Sequence, residues 1–336
     1  SISGIFDNTG TMVKSGGASS TIQITTNQIG GSIDLLSGNL LFIQGGSFSG
    51  TNTINDTAGS LGLIGGVYAV ADGTILQDLS TAPGNLNVSA STLNIEGGLS
   101  MGALTLSSAA VNIDSQGTAS TGDTLNATSI LFSGVGSTTM SGNVGANTPA
   151  GILNITATDT VDLTGTGVVT WNSLTVNNAG TITQSLASND LRINSGTLTN
   201  SGTYDFTTDR GITFSSISGI FDNTGTMVKS GGAGATNIVV AYSNTGGNVS
   251  ILQGTLSLNG AALTLGGGAL SGTGTFSGDV IADIGSTVAP GLSPGILSVT
   301  GDVTFQSGSN FDVELDSGGV SDLLNVTGNV TVDDGA

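Results

Sequence analysis

The chain has 336 residues, 56 of them glycine and none cysteine; 8% are charged and 4% aromatic, yet 37% are hydrophobic and the mean hydropathy is positive. Disordered chains combine low hydrophobicity with high charge, so this composition argues against disorder, and the absence of cysteine excludes disulfides and thiolate metal sites. Four basic residues against 23 acidic ones leave a net charge of −19, which makes nucleic acid and anionic membrane surfaces poor partners.

In chain order, the first feature is the string SISGIFDNTGTMVKSGGA at Ser1–Ala18, which returns unchanged at Ser216–Ala233. The distance from Ser1 to Ser216 is too long for one supersecondary unit, so a block of smaller units has been copied whole. Ser1 lies inside that repeat with no signal peptide ahead of it, which reads as a processed or excised piece of something longer. No apolar run of about 18 residues offers a membrane span, so membrane insertion is not expected.

The smaller unit is legible in short alternating runs: Leu86-Asn87-Val88, Leu93-Asn94-Ile95, Leu104-Thr105-Leu106 and Val111-Asn112-Ile113. Two apolar side chains flank a polar one in each, the pattern of a strand with one buried face. Leu86 recurs as Leu104 and Leu93 as Val111, a period too short for a βαβ unit, and the linkers are Gly/Ser/Thr turns. The expected fold is all-β, a parallel β-helix (β-solenoid) with coils of about 18–20 residues. The rhythm continues through Ile152–Ile155, Val161–Leu163, Leu174–Val176 and Leu191–Ile193, and again at Leu256–Leu258 and Leu263–Leu265. It breaks in the dense apolar stretch between Asn55 and Pro83, and where Pro290 and Pro294 interrupt the backbone ladder. Three segments result: a first solenoid block at 1–215, a second copy of the block's start at 216–285 that continues the solenoid, and an acidic end segment at 286–336.

Histidine is absent, which removes the Ser-His-Asp triad and imidazole metal sites together. Gly98-Leu99-Ser100-Met101-Gly102 and Gly291-Leu292-Ser293-Pro294-Gly295 match the nucleophile-elbow pattern, but nothing is available to activate either serine. Asp159 and Asp162 are three apart and would face opposite sides of a strand. The run Phe311–Asp316 is sharper: read as a strand, it sets Asp312, Glu314 and Asp316 on one face, alternate side chains about 6.6 Å apart. That face suits a weak cation site holding Ca²⁺ loosely, or a glycosidase carboxylate pair, though a solvated outer face is the more economical reading. No dedicated cofactor is expected. Thr-x-Thr triplets at Thr164–Thr166, Thr181–Thr183 and Thr197–Thr199 suggest a short threonine array, which outward strand positions favour in any case. Asn87, Asn94, Asn112 and Asn154 read as hydrogen-bond ladders. The two lysines, Lys14 and Lys229, each follow Asp7 or Asp222 at the same spacing within the copied string. They suit a local ion pair across a turn, or a contact point for an acidic neighbour.

Gly254–Val330, with GTLSLNG, GGGALSGTGTFSGDV, APGLSPGILSVTGDVTF, NFDVELD and SDLLNVTGNV, resembles the passenger repeats of bacterial autotransporters. FDNTGTMVKSGG and LTNSGTYDF resemble repeats of filamentous-haemagglutinin-like proteins. The resemblance implies a right-handed parallel β-helix displayed outside a bacterium as an adhesin or stalk, without the membrane barrel of a complete autotransporter. The expected role is therefore a non-enzymatic, extracellular or cell-surface scaffold, adhesin stalk or fibre subunit. It would bind a cell-surface or glycan ligand, or stack end to end. The alternative is a polysaccharide-binding or polysaccharide-cleaving β-helix.

Overall fold

The computed structural model describes residues 4–56, 59–71, 75–78, 85–95, 98–107, 110–113, 124–133, 138–142, 151–155, 157, 160–164, 166, 168–291 and 294–336. Every regular element among them is a β-strand. Two compact units, Ser1–Val176 and Asn177–Ala336, are each built of parallel strands stacked as a β-solenoid. The alternating runs are the reason. A strand with apolar residues at every second position must bury one face, and strands of this length pair only with the coils before and after them.

In the first unit, Gly38–Phe42, Gly59–Ile64, Asn85–Ser89 and Gly98–Ser107 pair in sequence, so that Phe42, Leu63, Val88 and Leu106 form one inward file, all buried. In the second, Ile182, Tyr204, Met227, Val249, Leu270 and Val288 form another, also buried. Each fully buried side chain of this size contributes about 1.5–3 kcal/mol, so the files dominate the folding free energy. Polar strand positions such as Asn87 and Asp162 fall between buried neighbours and are half-exposed, as the alternation predicts, and Asn94 is likewise half-exposed beside buried Leu93.

Coil length varies more than the sequence rhythm suggests. The register steps from Asn85 to Ala103 and from Ala269 to Thr287, both of the expected length. It also steps from Thr203 to Thr226, from Ser60 to Asn85 and from Thr138 to Val169, each longer than expected and the last the longest. The strands must stay in register, but corners lie at the surface and absorb insertions at little entropic cost. The dense stretch after Asn55 joins the stack as Gly59–Ile64 and Val67–Val70, with Leu61, Leu63, Tyr68 and Val70 buried. Pro290 is the last residue of the strand Thr287–Pro290, a position where a missing N–H is tolerated.

Candidate functional site

Two kinds of corner hold successive coils together. The first is Asn-x-Gly-Thr, found at Asn178, Asn200 and Asn223 of the second unit. The asparagine turns inward and the chain leaves through glycine. Asn178 Nδ2 donates to Asn200 Oδ1 at 2.6 Å, Asn200 Nδ2 to Asn223 Oδ1 at 2.7 Å, and Asn223 Nδ2 to Asn244 Oδ1 at 2.7 Å. Asn244 Nδ2 ends the ladder on the carbonyls of Leu265 and Gly247, both at 2.8 Å. All four asparagines are buried. Glycine is required because the coils approach closely. A Cβ on Gly202 would lie 2.2 Å from the Gly180 carbonyl oxygen, and one on Gly225 2.3 Å from that of Gly202.

An aromatic stack runs beside this ladder: the Tyr204 ring lies 5.3 Å from Phe221, which lies 5.4 Å from Tyr242. Burial pushes the Tyr204 phenol well above its ordinary range, so it remains a neutral donor to Gln184 Oε1 at 2.5 Å. Burial raises Tyr242 likewise.

The second corner is Gly-Asp/Asn-Val, in Gly278-Asp279-Val280, Gly301-Asp302-Val303 and Gly328-Asn329-Val330. Asp279 Oδ1 accepts the Asp302 amide at 2.8 Å, and Asp302 Oδ1 accepts the Asn329 amide at 2.7 Å. Each carboxylate thus satisfies a backbone donor of the next coil. A Cβ on Gly301 would meet Asp279 Oδ1 at 2.3 Å. Gly301→Ala is therefore expected to cost about 1–3 kcal/mol by overpacking, measured by denaturant unfolding, whereas Gly10→Ala, with open space at its Cβ, changes stability little.

The acidic residues singled out from sequence are not arranged as one strand face. Only Asn310–Phe311 is strand. The chain then folds back, with an antiparallel bridge between Leu315 and Ser321, and leaves Asp312, Glu314 and Asp316 exposed. Asp316 Oδ1 accepts the amides of Gly318 and Val320, both at 2.8 Å, while buried Asp322 accepts those of Gly295 at 2.7 Å and Glu314 at 2.9 Å. These carboxylates shape a turn. Among the described residues no group of three His, Cys, Asp or Glu side chains is placed to hold a metal ion. Thr181 shares a file with Thr203, whereas Thr197 stands opposite Ile220, so the threonine triplets do not form one array. Asp159, the triplet's Gly165, and Leu292 and Ser293 of the second serine motif lie outside the described residues, as do the side chains of Ser100, Asn112 and Asn154.

Both lysines are drawn inward, Lys14 at 5% exposure and Lys229 at 0%. Neither pairs with the aspartate that precedes it in the string, because that aspartate points out of the strand while the lysine occupies an inward position. Asp7 accepts from Asn27 Nδ2 at 2.8 Å, and Asp222 from the Ser243 hydroxyl. Lys229 Nζ instead reaches back one coil to Asp209 Oδ1 at 3.2 Å and the Thr208 carbonyl at 3.3 Å, and also donates to the carbonyls of Gly231 at 2.6 Å and Gly232 at 3.3 Å. Lys14 Nζ donates to the matching carbonyls of Gly16 and Gly17 but reaches forward, to Ser37 O at 3.2 Å. The Asp209 partner was not legible from sequence, since it depends on the length of the intervening coil. The asparagine ladder was missed as well, since the ladder reading fell on Asn87, Asn94, Asn112 and Asn154; Asn-x-Gly-Thr recurring at 178, 200 and 223 is the signal that could have found it.

Near the last coil of the second unit, a hollow of about 570 Å³ is lined chiefly by Phe305, Phe311, Leu324, Val326, Val330 and Val332. Beside the strand Thr287–Pro290, Asp283 accepts from the Ser286 hydroxyl and from the Gly267 amide at 3.1 Å. Burial acts to raise its carboxyl, but these hydrogen bonds outweigh burial and hold it below the ordinary carboxylate value. A depressed folded value contributes stability above the unfolded value of about 3.9, and that stability is lost as pH falls through the folded one. Asp283→Asn is accordingly expected to make the acid limb of the stability curve shallower below about pH 4, read by unfolding at a series of pH values.

These features define a β-solenoid in which corner asparagines and aspartates, with Lys229, tie one coil to the next. Comparison with protein-family models, with curated proteins and with solved structures finds no match to this chain.

Proposed function

We propose that this chain is a non-enzymatic scaffold, working outside a bacterial cell or on its surface as an adhesin stalk or a fibre-forming subunit. The observation that carries the reading is the fate of the copied string. Ile5–Asn8 with Thr11–Lys14, and Ile220–Asn223 with Thr226–Lys229, are each built as two strands of a coil. Copying such a block adds coils and outer surface without disturbing a centre, as expected of a quasi-one-dimensional protein selected for length and surface. The acidic exterior keeps such a surface soluble and repels other anionic material.

Electron microscopy at increasing protein concentration, together with a screen over glycans and whole cells, tests the reading. End-to-end assembly supports the fibre role and specific retention on a glycan or cell supports the adhesin role. Dispersed particles that bind nothing overturn both. Turnover on a polysaccharide panel would replace them with the enzymatic alternative.

A further inference from the structure

The identical strings sit in different surroundings, and one reports what the other lacks. In the internal copy, Thr197–Asn200 and Thr203–Phe206 cover the amino side of Ile220–Asn223 and Thr226–Lys229. The amides of Ile220, Thr224, Thr226 and Ser230 donate to carbonyls of that covering coil at 2.8–3.0 Å. Three side-chain contacts accompany them: Asn200 to Asn223, Tyr204 against Phe221, and Asp209 to Lys229.

In the first copy, Ile5–Asn8 and Thr11–Lys14 pair on their carboxyl side with Thr25–Leu35, and no described strand pairs on the amino side. Phe6 is 38% exposed where Phe221 is 0%. Lys14 is nonetheless nearly buried, its ammonium among backbone carbonyls with no carboxylate on it among the described residues. A buried cation without a counter-charge among the described residues, beside an exposed phenylalanine and Asn8, the counterpart of Asn223, defines the chemistry of whatever covers this face.

We infer that the amino side of Ile5–Lys14 is a docking face for a parallel β-solenoid coil with the chemistry of Thr197–Asp209. Such a coil brings an asparagine amide to Asn8 Oδ1, an aromatic ring to Phe6 and a carboxylate to Lys14. The register follows from the internal copy, where Leu198 stands opposite Phe221 and Tyr204 opposite Met227, so the coil's matching residues face Phe6 and Met12. The inference rests on charge complementarity and on the observed seating of the same string in its second position; it is compatible with the stalk role, whereas end-to-end stacking of copies would seat a second copy on this face.

The test extends the full chain ahead of Ser1 with a copy of residues 194–215, the segment that leads into the internal string. Hydrogen exchange is then followed at the amides of Ile5, Thr9, Thr11 and Ser15, the counterparts of the four bonded amides above. Their exchange is expected to slow by about tenfold or more, towards that of Ile220, Thr224, Thr226 and Ser230. A second extension, with alanine at the counterparts of Asn200, Tyr204 and Asp209, is expected to lose most of that protection. Unchanged exchange with the first extension overturns the inference, as does equal protection by both. Protection that instead grows with concentration in the unextended chain, with dimers in sedimentation, assigns the face to a second copy and overturns it too.

Discussion

Lys229→Met lowers the stability of its part of the solenoid by about 3 kcal/mol, whereas Lys14→Met, the same change in the same repeated string, costs about 1 kcal/mol. Methionine keeps the length and apolar stem of lysine but removes the ammonium. At position 229 that ammonium serves the carbonyls of Thr208, Gly231 and Gly232 and the carboxylate of Asp209. Losing it removes the Lys229 donor from the half-buried carbonyls of Gly231 and Gly232, while the Thr208 carbonyl keeps the Thr236 hydroxyl at 3.2 Å; each lost partner costs about 1–3 kcal/mol before water relieves it. The Asp209 side chain is 36% exposed, so its share is screened and the carbonyls supply most of the effect. The loss should therefore persist at high salt. At position 14 the acceptors lie on a side that no described strand covers, where water can replace the ammonium. Denaturant unfolding, with hydrogen exchange in the neighbouring coils to localise the loss, checks the difference. Equal costs at the two positions would show that the covering coil contributes nothing to the lysine.

The contrast between these lysines shows where sequence reading stops. The alternating runs made the parallel solenoid legible, because burial of one strand face is a local property that two or three residues announce. The asparagine corner was legible in principle, since Asn-x-Gly-Thr recurs with its glycine in the position that close backbone approach demands. What could not be read is any pairing between coils. Asp209 meets Lys229 because the coil between them has the length that brings their side chains level. The coil from Asn85 to Ala103 is shorter and that from Thr138 to Val169 much longer, and no local signal announces either. The alternation at Phe311–Asp316 was misleading for a related reason. The following Ser317-Gly318-Gly319 makes a turn, with Gly319 at φ +83°, and Asp316 caps that turn instead of continuing a strand. Turn chemistry overrode the strand alternation there.

The largest single-atom effect is expected in the asparagine ladder. Asn223→Asp exchanges an NH₂ group for oxygen and should cost about 4 kcal/mol at pH 7, against about 2 kcal/mol for Asn223→Ala. Asn223 is fully buried and acts in both directions, accepting from Asn200 and donating to Asn244 Oδ1 and, at 3.4 Å, to the Asn248 carbonyl. An aspartate there still accepts from Asn200 but turns an anion toward two oxygens. Alanine leaves less conflict, because Asn200 Nδ2 retains the Thr226 carbonyl at 3.0 Å and Asn244 Oδ1 retains the Tyr242 hydroxyl at 3.1 Å. The pH dependence separates the two variants. Burial raises the introduced carboxyl above its unfolded value of about 3.9, so this group's penalty is smallest below that pH and grows as pH rises through the folded value. The aspartate variant's deficit against the parent should narrow on acidification, when the protonated carboxyl can donate to Asn244 as the amide did, while the alanine deficit stays nearly constant. Asn8→Asp, at the half-exposed counterpart in the first copy, should cost under about 1 kcal/mol, since water reaches the carboxylate. A pH-independent deficit for Asn223→Asp would mean that the ladder opens to solvent at that rung. The asparagines would then be fillers of a corner instead of the hydrogen-bonded spine that fixes one coil upon the next.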